Sequence, residues 1–169
     1  MLDGKSVVLI GMPGAGKSTI GVMLAKELAK DFIDTDILIQ SRENATLQEI
    51  MNEGGYLHLR DIESDVIQNA HYHNHVIATG GSAVYCEAAM KHLATLGPIV
   101  YLEASLNELR QRIHNYESRG IARREDQSFE DVFAERTELY RRYADITIDG
   151  DGSSQGAVLK TTVEKLLAL

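Results

Sequence analysis

The sequence has no tryptophan, one cysteine and two prolines. A lone Cys86 excludes an internal disulfide framework and a thiolate zinc cluster, and it suits a reducing compartment such as the cytoplasm. With only Pro13 and Pro98, no low-complexity linker stands out, and no internal repeat is visible. Long hydrophobic runs are missing too. Segments such as Val7–Ile10 are strand-sized, far short of the ~20 residues a membrane helix needs. The first residues include Asp3 and Lys5 and do not read as a signal peptide. Excess positive charge is also lacking: 17 Lys and Arg face 25 Asp and Glu, a net of -8. That balance argues against nucleic acid or an anionic membrane as partner.

What is present is ordinary for a globule: 44% apolar and 25% charged residues over a length of 169. One domain over 1–169 is expected. Short apolar runs alternate with helical spacings. Ser6–Ile10, Asp31–Ile33, His75–Thr79, Pro98–Leu102 and Ile146–Ile148 read as strands. Lys17–Leu28, Tyr56–Ala70, Glu87–Leu96, Leu106–Ile113, Phe129–Ala144 and Ala157–Leu167 read as helices, with Leu106, Leu109 and Ile113 as a core stripe. Thr46 with Glu49 has the capping-box pattern, and Ser128 is a good N-cap. The alternation predicts an α/β three-layer sandwich: a five-stranded parallel sheet with helices on both faces. Ligands of such sheets bind beyond the C-terminal strand ends.

The first strand-to-helix turn carries the strongest motif. Gly11-Met-Pro-Gly14-Ala15-Gly16-Lys17-Ser18 fits G-x-x-x-x-G-K-[ST], followed by Thr19. Its glycines let successive N–H groups turn inward, and the helix N-terminus adds positive potential for a phosphate. Lys17 can reach the β- and γ-phosphates and Ser18 can ligate Mg²⁺. The chain therefore reads as a nucleoside triphosphate binder. It has no N-K-x-D element for guanine and is short for a motor, which leaves a small-molecule kinase.

An acceptor must then lie opposite the loop. Asp34 and Asp36 sit at i and i+2 after the second strand and can address one pocket, one holding hydrated Mg²⁺ with Ser18, the other a substrate hydroxyl. Asp36 is alternatively an N-cap for Ile37–Arg42. Gly80-Gly81 ends the third strand, as a tight turn or as a close approach of ligand to backbone N–H groups. Eight of ten arginines lie between Arg110 and Arg142, among seven carboxylates, so the window is no nucleic-acid patch. Arg119, beside Gly120, can close over phosphates from a lid at about 116–127. Arg60 and Arg136 can clamp a carboxylate. His71, His73 and His75 read as a loop entering a strand, and Cys86 as inert.

In order and spacing these elements resemble the shikimate kinase family over essentially the whole length. They are the phosphate loop, Asp34-Thr-Asp36, Leu59-Arg60-x-x-Glu63, Thr79-Gly80-Gly81 and Glu135-Arg136-x-x-Leu-Tyr140-x-x-x-Ala144. The resemblance implies a P-loop kinase with a lid that moves the γ-phosphate of ATP to the 3-hydroxyl of shikimate. It places Asp34 near Mg²⁺, Asp36 on the acceptor hydroxyl, and Arg60 and Arg136 on the acceptor carboxylate. Gly80 and Gly81 face the substrate, Arg119 acts from the lid and Arg112 lies against the adenine. A monomeric or weakly associating enzyme is expected. The chain departs from the family pattern at Ser82, where a third glycine is usual, and at Leu59, where phenylalanine is usual. It departs again at Tyr56, an acidic position, and at Gly120, where the lid has proline. The glycine is expected to loosen the lid. Two alternatives remain: a kinase of another small hydroxy acid such as gluconate, and a non-catalytic nucleotide-binding regulator.

Overall fold

The computed structural model describes residues 2–114 and 120–169. Five strands form one parallel sheet: β1 Val7–Ile10, β2 Asp31–Asp34, β3 His75–Ala78, β4 Ile99–Glu103 and β5 Ile146–Asp149, in spatial order β2-β3-β1-β4-β5. Seven α-helices are described: α1 Lys17–Glu27, α2 Thr35–Glu43, α3 Leu47–Gln68, α4 Glu87–Leu96, α5 Leu106–Arg112, α6 Phe129–Tyr143 and α7 Gln155–Leu167. Ala83–Tyr85 adds a 3₁₀ turn. The three-layer α/β architecture expected from the alternation is the one observed.

β1 sits in the centre, paired with β3 through Val8↔Ile77 and with β4 through Leu9↔Val100. All four of its residues are fully buried, as a strand covered on both faces requires. Its alternate side chains enter different cores. Val8 and Ile10 join Ile77, Met90, Leu93 and Tyr140 on one face. Val7 and Leu9 join Ile20, Leu24, Val100 and Ile148 on the other. A third cluster of Ile39, Ile50, Leu59 and Ile62 packs α2 on α3 and includes Ala122.

Helix ends follow local chemistry. The Thr46–Glu49 capping box opens α3 and Ser128 opens α6, as expected. The predicted cap of α2 needs correction. The helix starts two residues earlier than Ile37, at Thr35, and Asp34, not Asp36, is its N-cap, with Asp34 Oδ1 accepting from the Asp36 N–H at 2.9 Å. The helix expected over Tyr56–Ala70 is the second half of the longer α3, which is interrupted at Gly55, where φ is 83°.

Candidate active site

The C-terminal ends of β1, β2 and β3 open on one cavity of about 470 Å³. The first wall is the turn from β1 into α1. Gly14, Ala15, Gly16, Lys17, Ser18 and Thr19 all line the cavity. Gly16 is the N-cap of α1 in a left-handed conformation, φ 93°, and offers no side-chain acceptor. The contrast with the other helices is informative. Asp34, Thr46, Cys86, Ser105, Ser128 and Ser154 each cap a helix with a side-chain acceptor. Among the described α-helices, α1 alone has neither a side-chain cap nor an acidic residue in its first turn. A helix N-terminus without such a cap, facing a cavity, fits a phosphate. Lys17 is 8% exposed and its Nζ donates to the carbonyls of Gly11 at 2.7 Å and Met12 at 2.9 Å, so its charge is held inside the loop. Arg112 donates to the Gly14 carbonyl at 3.3 Å and pairs with Glu108 at 3.1 Å. It shares this end of the cavity with Gly150, Ser153 and Gln155.

The second wall joins β2 and β3. Asp34 Oδ2 accepts from Ser18 Oγ, so the α2 cap also ties this strand end to the phosphate loop. Two hard oxygen donors in contact at a phosphate site fit Mg²⁺, which keeps waters and takes one or two protein carboxylates or hydroxyls. No cluster of three or more His, Cys, Asp or Glu suited to a metal occurs among the described residues, the 71–75 histidines included. Asp36 lines the cavity from the first turn of α2. Gly80 lies against it. A Cβ at Gly80 would collide with carboxylate oxygens of both Glu63 and Asp36, and one at Gly81 would stand 2.7 Å from Arg136 Nη1. The two glycines therefore make room for three charged side chains. The Gly80 N–H, expected to face a ligand, instead donates to Thr35 Oγ1 at 3.0 Å. Gly81 is anchored through its carbonyl, which accepts from Tyr140 Oη at 2.6 Å.

The third wall is α3 and α6. Arg136 is 1% exposed, lines the cavity, and donates from Nη2 to the Ala122 carbonyl at 2.7 Å. Its Nε is buried without a partner. Arg60 donates to the same carbonyl at 3.4 Å, also with an unpaired buried Nε. Arg60 does not itself line the cavity; its neighbour Leu59 does. Its guanidinium lies over the Tyr85 ring, 3.7 Å from the centroid. Arg119, with the part of the expected lid at 116–119, lies outside the described residues.

Several lining groups had no role in the sequence reading. Glu63 was only part of a motif, yet it is 3% exposed inside the cavity wall. Burial, then the charge of Asp36, pushes its carboxyl up to about 7, against the opposing pull of Ser82, Arg136 and Lys17. Ser82 Oγ donates to Glu63 Oε1. Its i+3 spacing from Arg60 on a helix was the available signal. Residues 150–155 follow β5, and the rule that ligands sit beyond strand ends pointed there as well.

The comparisons agree with this geometry. A curated relative, "Shikimate kinase" of Francisella tularensis subsp. holarctica, is 36% identical over 170 residues, covering 98% of this chain and 94% of the relative. The solved structure "Shikimate kinase from Acinetobacter baumannii in complex with shikimate" superposes with a TM-score of 0.89 at 28% identity, covering 97% of this chain and 93% of that one. The shikimate kinase of Aquifex aeolicus gives 0.81 at 27%, covering 96% of each chain. A family model described as shikimate kinase matches residues 13–167. With a phosphate loop, a paired-carboxylate strand end and an arginine-lined wall around one cavity, the chain belongs to the shikimate kinase family.

Proposed function

We propose that this chain transfers the γ-phosphoryl group of ATP to the 3-hydroxyl of shikimate. The observation that carries this reading is the make-up of the cavity at the strand ends. It joins an uncapped, lysine-bearing helix N-terminus to a wall holding Asp36 and the buried Arg136. A phosphate donor and an acidic, hydroxylated acceptor suit those two ends.

Each residue then has a task. The backbone of Gly14 to Thr19 and the Lys17 ammonium hold the phosphates, and Arg112 borders the base. Ser18 and Asp34 are the groups that would hold Mg²⁺, directly or through water, and the ion would supply charge neutralisation at the phosphates. Asp36 accepts the hydrogen bond of the acceptor hydroxyl and orients its oxygen towards the phosphorus. Gly80 and Gly81 keep that wall thin. Arg136 and Arg60 take the acceptor carboxylate in place of the Ala122 carbonyl they now share. Arg119, from a lid at about 116–127, adds charge over the transferring group. We place residues 1–169 in one domain that acts as a monomer. No helix among the described residues is long and apolar enough to cross a membrane, and we place the enzyme in the cytoplasm.

Phosphorus NMR of the product tests the reaction. Shikimate phosphorylated at the 3-hydroxyl is the expected product; phosphorylated gluconate with untouched shikimate would replace the acceptor assignment. Lys17→Ala should lower kcat by at least about 100-fold with an unchanged circular dichroism spectrum. Full activity would remove the loop from the chemistry. Arg136→Lys keeps the charge but loses the fork, and should raise the acceptor KM about tenfold while leaving that of ATP in place.

A further inference from the structure

Arg60 and Arg136 present an electrostatic puzzle. Two guanidinium groups donate to one carbonyl, that of Ala122, and each keeps a buried Nε without a partner. A carboxylate would be the usual counter-group for a half-buried arginine. No ion pair involving Arg60 is found among the described residues; instead its cation stands over two rings, 3.7 Å from the Tyr85 centroid and 5.0 Å from that of Tyr56. Arg136 stands 5.5 Å from the same Tyr85 ring.

The two ways of holding an arginine differ in what they leave over. A carboxylate consumes the N–H donors in the guanidinium plane and cancels the charge. A ring uses the face of the guanidinium, so the charge and the in-plane donors stay available. The turn that carries Tyr85 is well fixed. Ala83–Tyr85 is a 3₁₀ turn closed by Tyr85 N–H to the Ser82 carbonyl at 3.1 Å. Ser82 Oγ ties it to Glu63 on α3, and Tyr140 Oη holds the preceding Gly81 carbonyl.

We propose that Tyr85 is a positioning residue for the acceptor carboxylate. Its ring, backed by Tyr56, holds Arg60 edge-on to the acceptor without neutralising it. This rests on the acceptor being an acid, as in the reading above. It names a group that neither the motifs nor the family resemblance assigns. Because Arg60 lies just beyond the cavity wall, the ring decides whether its donors reach an incoming carboxylate or fall away from it.

The test separates stacking from shape, from the hydroxyl and from the reaction itself. Steady-state kinetics are measured for wild type, Tyr85→Leu and Tyr85→Phe, with shikimate and with its carboxamide, which has the same ring and hydroxyls but no negative charge. Tyr85→Leu should raise the shikimate KM about five- to thirtyfold, while kcat and the ATP KM stay within about twofold. Tyr85→Phe, which keeps the ring, should restore the shikimate KM. The carboxamide KM should be the same in wild type and Tyr85→Leu. An unchanged shikimate KM in Tyr85→Leu would overturn the proposal. So would equal losses for acid and carboxamide, which would make Tyr85 a wall, and so would a Tyr85→Phe defect as large as that of Tyr85→Leu. Thermal melts of each variant accompany the kinetics, and titration calorimetry of shikimate gives the same ordering if Tyr85→Leu turns over too slowly. Wild-type protein that phosphorylates neither acceptor would instead refute the function on which the proposal rests.

Discussion

At the scale of single residues, Glu63 has the clearest solution signature. Its carboxyl is buried against Asp36, and the folded protein binds its proton up to about pH 7 instead of the usual 4.5. The sign follows from linkage: a carboxyl with a raised folded value contributes stability that is complete below 4.5 and is lost as pH rises through about 7. Thermal melts across that window should show the decline in wild type and a flatter curve in Glu63→Gln. A variant curve parallel to wild type would show that Glu63 titrates normally. Asp34 makes two separable contributions, a helix cap through Oδ1 and a contact with Ser18 through Oδ2. Asparagine caps as well as aspartate but carries no charge. Asp34→Asn should therefore keep the melting temperature and raise the Mg²⁺ concentration needed for half-maximal activity. Asp34→Ala should lose about 1 kcal/mol of stability as well, and equal melting temperatures for the two variants would contradict the cap.

At the scale of elements, local signals were legible and tertiary ones were not. The phosphate loop, the Thr46–Glu49 box and the Ser128 cap each depend on a few adjacent residues, and each lies where the sequence placed it. The length of α3 was hidden because Gly54-Gly55 looks like a terminus; the backbone leaves the helix only at Gly55 and then resumes it. The surroundings of Glu63 and Tyr85 come from α3, α6 and the 3₁₀ turn meeting in space, so the spacing of Glu63 from Arg60 was the one local sign of either. Arg60 was read as a clamp for the acceptor carboxylate; in the structure its guanidinium lies over the Tyr85 ring, and its neighbour Leu59 lines the cavity. Gly120 carries a contact that its sequence position did not announce. Glycine at this position promised a looser lid, but its φ is 69°, its N–H donates to Gln48 Oε1 at 3.1 Å, and a Cβ would stand 2.6 Å from Leu47 Cβ. The residue is a docking point on α3. Gly120→Pro should release that contact, since proline requires a negative φ and has no N–H. Trypsin should then cut at Arg123 or Arg124 faster than in wild type; an unchanged cutting rate would show that the contact does not hold the segment.

At the scale of the whole molecule, the sheet order β2-β3-β1-β4-β5 explains why one cavity can serve two ligands. Central β1 delivers the phosphate loop. β3 and β2 on one side bring Gly80, Gly81, Asp34 and Asp36, while β4 and β5 on the other bring the segment around Glu103 and the turn after Asp149. In the proposed reaction, donor and acceptor would approach from the two halves of the sheet and meet over Lys17. α6 spans this arrangement, with Arg136 in the acceptor wall and Tyr140 stacked on Tyr101 of β4, ring centroids 5.1 Å apart. In this arrangement the two halves would work together on one phosphoryl transfer. The most direct test of this joint action is ADP release from Mg-ATP by the purified protein, measured with and without shikimate. Slow release alone and release accelerated many-fold by saturating shikimate are expected. ATP binding with no acceleration by shikimate would contradict the joint action.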